Sequence, residues 1–174
     1  MRSSTVLTIA ALSGVPVLAA LAFAATVHRY PHDVGFTDSG VSVAMHLSDD
    51  GSTLLTTFTP QRPGFHLYSV GLPAAGIEGL GRPTRVEVAG ALRSRGPLIA
   101  KSPVRMLAMQ GTDVTFPVYP DGPVTTELPV DVASPGEAKV LVSYAACSPQ
   151  ECLMPVTAYP VELDATMLGT TTRG

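Results

Sequence analysis

The chain has no tryptophan, five Phe, five Tyr, two cysteines and two lysines (Lys101 and Lys139) in 174 residues. Two cysteines are too few for a disulfide framework, although they are the minimum for one redox couple. Charged residues amount to 14% and the formal net charge is −3, so the basic footprint of a nucleic-acid binder is missing. Helical periodicity is scarce after residue 30. No Ser-His-Asp arrangement, Gly-rich phosphate loop or pair of catalytic carboxylates can be placed, which leaves a hydrolase reading without residues to rest on. Internal repeats and low-complexity segments are absent too.

What the chain does have is a long apolar start. Val6 to Val27 carries no charge, Arg2 is the only charged residue before Arg29, and Ala22-Phe-Ala24 has the small-x-small form of a signal-peptidase site. The run exceeds the usual signal core of about 7–15 residues, and about 20 residues can span a bilayer. Residues 1–27 therefore fit either a cleaved signal peptide or an uncleaved membrane anchor helix. Both place the remainder outside the cytoplasm, in the periplasm or cell envelope. No cysteine follows closely, so a lipid-modified N-terminus has no residue to carry it. Roughly 145–150 residues remain, enough for one domain that buries about 68–70% of its unfolded surface.

That remainder reads as short strands punctuated by Gly, Pro, Asp and Ser. Val41–Leu47 alternates with period two, and Asp49-Asp50-Gly51 is a hairpin signal before Ser52–Thr59. Further strands are expected at Phe65–Ser69, Thr84–Ala89, Val104–Met109, Asp113–Tyr119, Val124–Val132, Lys139–Tyr144 and Met154–Leu163. Leu72–Gly81 reads as a loop with room for one helical turn. Pro160, inside the last strand, requires an edge position or a bulge. The fold class is all-β, an antiparallel sandwich of two sheets over residues 35–164, followed by a disordered tail at 165–174.

The chemistry-bearing feature is the run Tyr144-Ala-Ala-Cys147-Ser-Pro-Gln-Glu-Cys152-Leu-Met-Pro155-Val-Thr157. With strands on either side, the cysteines fall at the neck of a hairpin whose tip is Ser148–Glu151. Opposed antiparallel residues lie about 4.5–5.5 Å apart at Cα, within the about 4.4–6.8 Å a disulfide accepts. Closing about six residues removes only ~2 kcal/mol of unfolded-state freedom, against ~4.7 for a 100-residue loop. Spacing alone leaves two readings open, a reversible redox couple and an inert local bond. No helix N-terminus is expected to acidify either thiol, and Glu151 opposes a second negative charge. Neither thiol is therefore expected to be strongly acidic.

The wording of the motif, Tyr-x-x-Cys, four residues, Cys-x-x-Pro-x-Thr, resembles the N-terminal periplasmic domain of the thiol:disulfide interchange protein DsbD and related disulfide correctors. Pro63-Gly-Phe-His-Leu-Tyr68-Ser69 matches the aromatic segment of that family. The resemblance runs from about Gly35 to Leu163, specific at 63–69 and 140–157 and loose elsewhere. It implies an immunoglobulin-like sandwich that relays electrons from a thioredoxin-like donor to periplasmic acceptors, without a cofactor. By position, Cys152 matches the cysteine that forms mixed disulfides, Cys147 its resolving mate, and Tyr144 and Tyr68 aromatic positions near the pair. The chain departs from the pattern at Met154, where a proline is common. It also lacks a recognisable cap loop, for which Ile99–Arg105 is the segment expected in place. With no multi-span region after the domain, the donor is expected to act in trans.

Other residues carry competing expectations. His66 alternates with Phe65 and Leu67, so a solvent-facing ring is favoured over one that approaches the cysteines. His28, His32, His46 and His66 with Met106, Met109 and Met154 raise a copper reading, but no His-x-His or Met-rich repeat supports it and no metal site is assigned. Arg82, Arg85, Arg93, Arg95, Lys101 and Arg105 form either a solvated basic face or a dock for an acidic partner. The alternatives to a redox relay are a non-catalytic binding module with a structural disulfide and, third, a copper-binding periplasmic protein.

Overall fold

The computed structural model describes residues 33–108 and 113–166. The expected signal or anchor at 1–27, His28, His32, Met109 and the tail beyond residue 166 lie outside them. Among the described residues there is no α-helix, and no helix is long and apolar enough to cross a membrane.

Period-two alternation builds the larger sheet. Its strands β1 (Asp33–Asp38), β2 (Val41–Leu47) and β3 (Thr53–Pro60) follow one another as antiparallel neighbours. Val41, Val43, Met45 and Leu47 of β2 point inward, as do Leu54, Thr56 and Phe58 of β3. After β4 (His66–Leu67) the chain enters the second sheet with β5 (Arg85–Gly90), then returns to the first with β6 (Leu92–Ser94) and β7 (Ile99–Ala100). A hairpin of β8 (Arg105–Ala108) and β9 (Thr115–Val118) follows. Next, β10 (Val124–Val132) pairs with β3 on one side and with both β6 and β7 on the other. The chain closes with β11 (Glu137–Tyr144), β12 (Ala146–Cys147) and β13 (Val156–Asp164).

The second sheet runs β13-β11-β5, all antiparallel. Its inward residues Val86, Val140, Val142, Tyr144, Val156 and Leu163 meet the inward rows of β2, β3 and β10 in one apolar core. Along one side of the two layers, the Phe36 and Tyr159 rings stack at 4.1 Å.

Several expectations meet the structure closely. β2 and β10 have the expected bounds, and the Asp49-Asp50-Gly51 turn joins β2 to β3, with Gly51 N–H donating to Ser48 O at 2.7 Å. Pro160 lies on an edge strand, because β13 has a ladder partner only in β11. A register shift between Val142 and Tyr144 also breaks that ladder, and Ser143 Oγ there accepts the Ala158 N–H at 2.9 Å. The helical turn allowed in Leu72–Gly81 is not formed. That segment is a chain of turns closed by an Ile77–Leu80 bridge.

A disulfide hairpin at one end of the two sheets

Past Tyr144 the chain leaves the main ladder, and Ala146 and Cys147 pair with Leu67 and His66. β4 in turn adjoins β9 through a Tyr68–Val118 bridge and the bonds Ser69 N→Pro117 O and Tyr119 N→Leu67 O, each 2.9 Å. A small ribbon ordered β12, β4, β9, β8 thus forms one end of the molecule. Tyr68, Leu72, Phe116, Val118, Ala145 and Cys147 pack there as an apolar cluster of their own.

Cys147 and Cys152 oppose each other in an antiparallel bridge and are joined by a disulfide, with their Cα atoms 4.0 Å apart. That is slightly closer than the sequence-based expectation of about 4.4–6.8 Å. The turn between them is tightly bonded. Ser148 N donates to Glu151 O at 2.7 Å, Leu153 N donates to Ala146 O at 2.9 Å, and Ser148 Oγ accepts the N–H groups of Gln150 and Glu151. The expected hairpin neck and tip are therefore where the sequence puts them.

The two sulfur-bearing residues have unequal access. Cys147 is 4% exposed, whereas Cys152 belongs to the exposed surface. Both line a cavity of about 340 Å³, with Ser148–Glu151 on one side, Leu107, Ala108 and Phe116 on another, and His66 and Tyr68 of the β4 segment behind. The Tyr68 hydroxyl lies 3.5 Å from Cys147 Sγ, and since a disulfide sulfur has no hydrogen the phenol is the donor. Burial pushes the Tyr68 hydroxyl above the ordinary tyrosine range.

His66 is the main correction. It is 2% exposed, not solvent-facing, and its ring meets Tyr68 edge-on with centroids 6.5 Å apart. Burial drives its pKa below the ordinary histidine value, opposed by the Asp121 carboxylate and reinforced by Arg105. Asp121 Oδ1 stands 3.6 Å from His66 Nδ1 and accepts a 2.7 Å bond from Arg105. Asp121 lies in the turn-forming run Tyr119-Pro-Asp-Gly-Pro123, and no spacing rule links it to His66.

The remaining expected site residues lie elsewhere. Tyr144 is fully buried in the main core, donates its hydroxyl to Asp38 O at 2.9 Å and packs edge-on against Phe58. It does not line the cavity, and neither does the exposed Pro155. Ile99 and Ala100 pair with β10, so the cavity is bordered by the β8–β9 hairpin instead of by Ile99–Arg105. Leu107 and Phe116 supply that border, and only the alternation of β9 hinted that Phe116 faces inward.

Glu151, expected to weigh against charge at Cys152, is engaged by Arg62 at 2.8 Å. Most of the basic stretch is likewise paired, three of its side chains in ion pairs at the surface. Arg85 bonds the Val70 and Leu72 carbonyls, Arg95 pairs with Asp131, Lys101 with Glu127 and Arg105 with Asp121. Among the described residues no three His, Cys, Asp or Glu side chains converge as a metal site.

Fold and site together define an antiparallel β domain that carries one hairpin disulfide at the mouth of an end cavity. The same fold occurs in the reduced N-terminal domain of DsbD from Neisseria meningitidis, with a TM-score of 0.50 and 13% identity over 72% of this chain and 86% of that one. It occurs as well in the N-terminal periplasmic domain of ScsB from Proteus mirabilis, with a TM-score of 0.50, 17% identity and 76% of this chain covered. The match spans 51% of the ScsB structure, about half its length. At these identities the likeness is one of fold, a DsbD N-terminal-like fold. No family model and no curated protein matches the chain.

Proposed function

We propose that this chain is an extracytoplasmic thiol-disulfide exchange domain, in which Cys147 and Cys152 pass electrons between a thioredoxin-like donor and envelope acceptors. The observation that carries this reading is the unequal access of the pair, with Cys152 exposed at a cavity mouth and Cys147 buried behind it. The DsbD-like fold, an immunoglobulin-like sandwich on this reading, supports the same conclusion. Export is read from the apolar run at 6–27, as a signal or an anchor.

A partner thiolate attacks Cys152 Sγ, and its electron pair forms the new sulfur–sulfur bond. The old bond breaks and its pair leaves with Cys147 Sγ as thiolate. A second partner thiolate then attacks the partner's own sulfur in the mixed disulfide. Cys152 departs, two protons are taken up, and the dithiol is released from an oxidised partner. The Tyr68 hydroxyl, already aimed at Cys147 Sγ, stabilises the leaving thiolate.

Cys147→Ser leaves Cys152 as a free thiol, which should attack the disulfide of an oxidised thioredoxin-like protein, displace one of its cysteines as thiolate and hold the other in a mixed disulfide seen on non-reducing gels. Trapping by Cys152→Ser alone would reverse the roles. The reduction potential separates exchange from a structural bond. A value near about −200 mV suits exchange, while one below about −300 mV supports the binding-module alternative.

A further inference from the structure

One buried group beside the disulfide is unused by this scheme. His66 Nδ1 makes no hydrogen bond, and Asp121 Oδ1 at 3.6 Å is a charge contact too long to be one. An unpartnered ring nitrogen in an interior is costly to keep and calls for an explanation. Its place in the fold supplies one. His66 and Cys147 are direct cross-strand partners on β4 and β12, so their side chains leave the same face with Cβ atoms about 4.5–5.5 Å apart. Both line the same cavity.

We propose that His66 is the charge partner of Cys147, taking up a proton as Cys147 becomes a thiolate and returning it when the pair is fully reduced. The inference rests on the exchange reading above and assigns one further residue to it. In the oxidised protein burial keeps the ring neutral at pH 7, beside a neutral disulfide. Attack at Cys152 sends the sulfur–sulfur electron pair onto Cys147 Sγ, which puts a negative charge opposite the ring. His66 then takes a proton from solvent, and the buried charge becomes an ion pair. When Cys152 departs from the partner, that proton passes to Cys147.

The groups facing this pair fit the role. Asp121, on the segment after β9, favours imidazolium, and Arg105 of β8 opposes it while holding Asp121 in place. Tyr68 faces Cys147 Sγ, and Glu151 in the turn is held by Arg62.

The test is the thiolate absorbance of Cys147 against pH in Cys152→Ser, with and without His66→Phe. Adding His66→Phe should lower the thiolate fraction at neutral pH about tenfold, a shift of about one pKa unit. An unchanged curve overturns the proposal. The His66 ring resonance in the wild-type domain gives an answer without a substitution. In the reduced domain the ring should shift toward imidazolium over the pH range in which Cys147 ionises, a step the oxidised domain lacks, and superimposed oxidised and reduced curves overturn the proposal even if His66→Phe fails to fold. A Cys147 shift together with a structural-range potential removes the relay and leaves the pairing standing. A relay-range potential with no shift removes His66 alone.

Discussion

Tyr68 and Tyr144 carry the same expectation from sequence, yet one touches Cys147 Sγ and the other braces the core. Tyr144→Phe loses a hydroxyl bond to Asp38 O, so it should cost about 0.5–1.5 kcal/mol in urea unfolding and leave exchange with a small dithiol unchanged. Tyr68→Phe should slow that exchange about tenfold, because the lost bond is charge-assisted once Cys147 is a thiolate. His66 gives the oxidised protein an acid-side signature. Its folded pKa is depressed by burial, so below about pH 6.5 the unfolded chain binds the proton more readily. Stability should be complete above that pH and fall as the pH drops through the folded value, and the fall should shrink in His66→Phe. Urea midpoints at several pH values measure both.

The sheet elements show where a sequence is legible. β2 and β10 have strict alternation over seven and nine residues, and their bounds are readable because one face of each is buried along its length. β6, β7 and β12 contain two or three residues each, too few to carry a period. β4 misleads for a different reason. Alternation turns His66 away from Phe65 and Leu67, but the second face carries an apolar cluster of its own, which includes Tyr68, Phe116 and Cys147. Phe65, His66, Leu67 and Tyr68 are therefore all buried. Gly90 marks another feature that hydropathy does not report, the corner at which β5 leaves one sheet and β6 enters the other. Its φ of 77° suits glycine, and an added Cβ would lie 2.8 Å from Glu137 O. Gly90→Ala should destabilise the domain by about 1–3 kcal/mol, seen as a lower urea midpoint with an unchanged slope.

At the scale of the described domain, the main core and the disulfide end are separate clusters, and Cys147 belongs to the smaller one. The disulfide was visible in the sequence as a hairpin neck, whereas the cavity beside it was not, because Leu107, Ala108 and Phe116 come from a distant part of the chain. Reduction should lower the unfolding free energy by only ~2 kcal/mol, the closure entropy of a six-residue loop. The reduced domain should then keep its far-ultraviolet dichroism and cooperative melting. Loss of cooperativity on reduction would mean that the small cluster supports the large one. The backbone bonds flanking the cysteines, from Ser148 to Glu151 and from Leu153 to Ala146, do not depend on the sulfurs being joined. After cleavage, these rails hold two thiols face to face at high mutual effective concentration. On the exchange reading proposed above, a partner stalled on Cys152 is thus always within reach of Cys147, and the hairpin can eject a wrong guest simply by snapping shut.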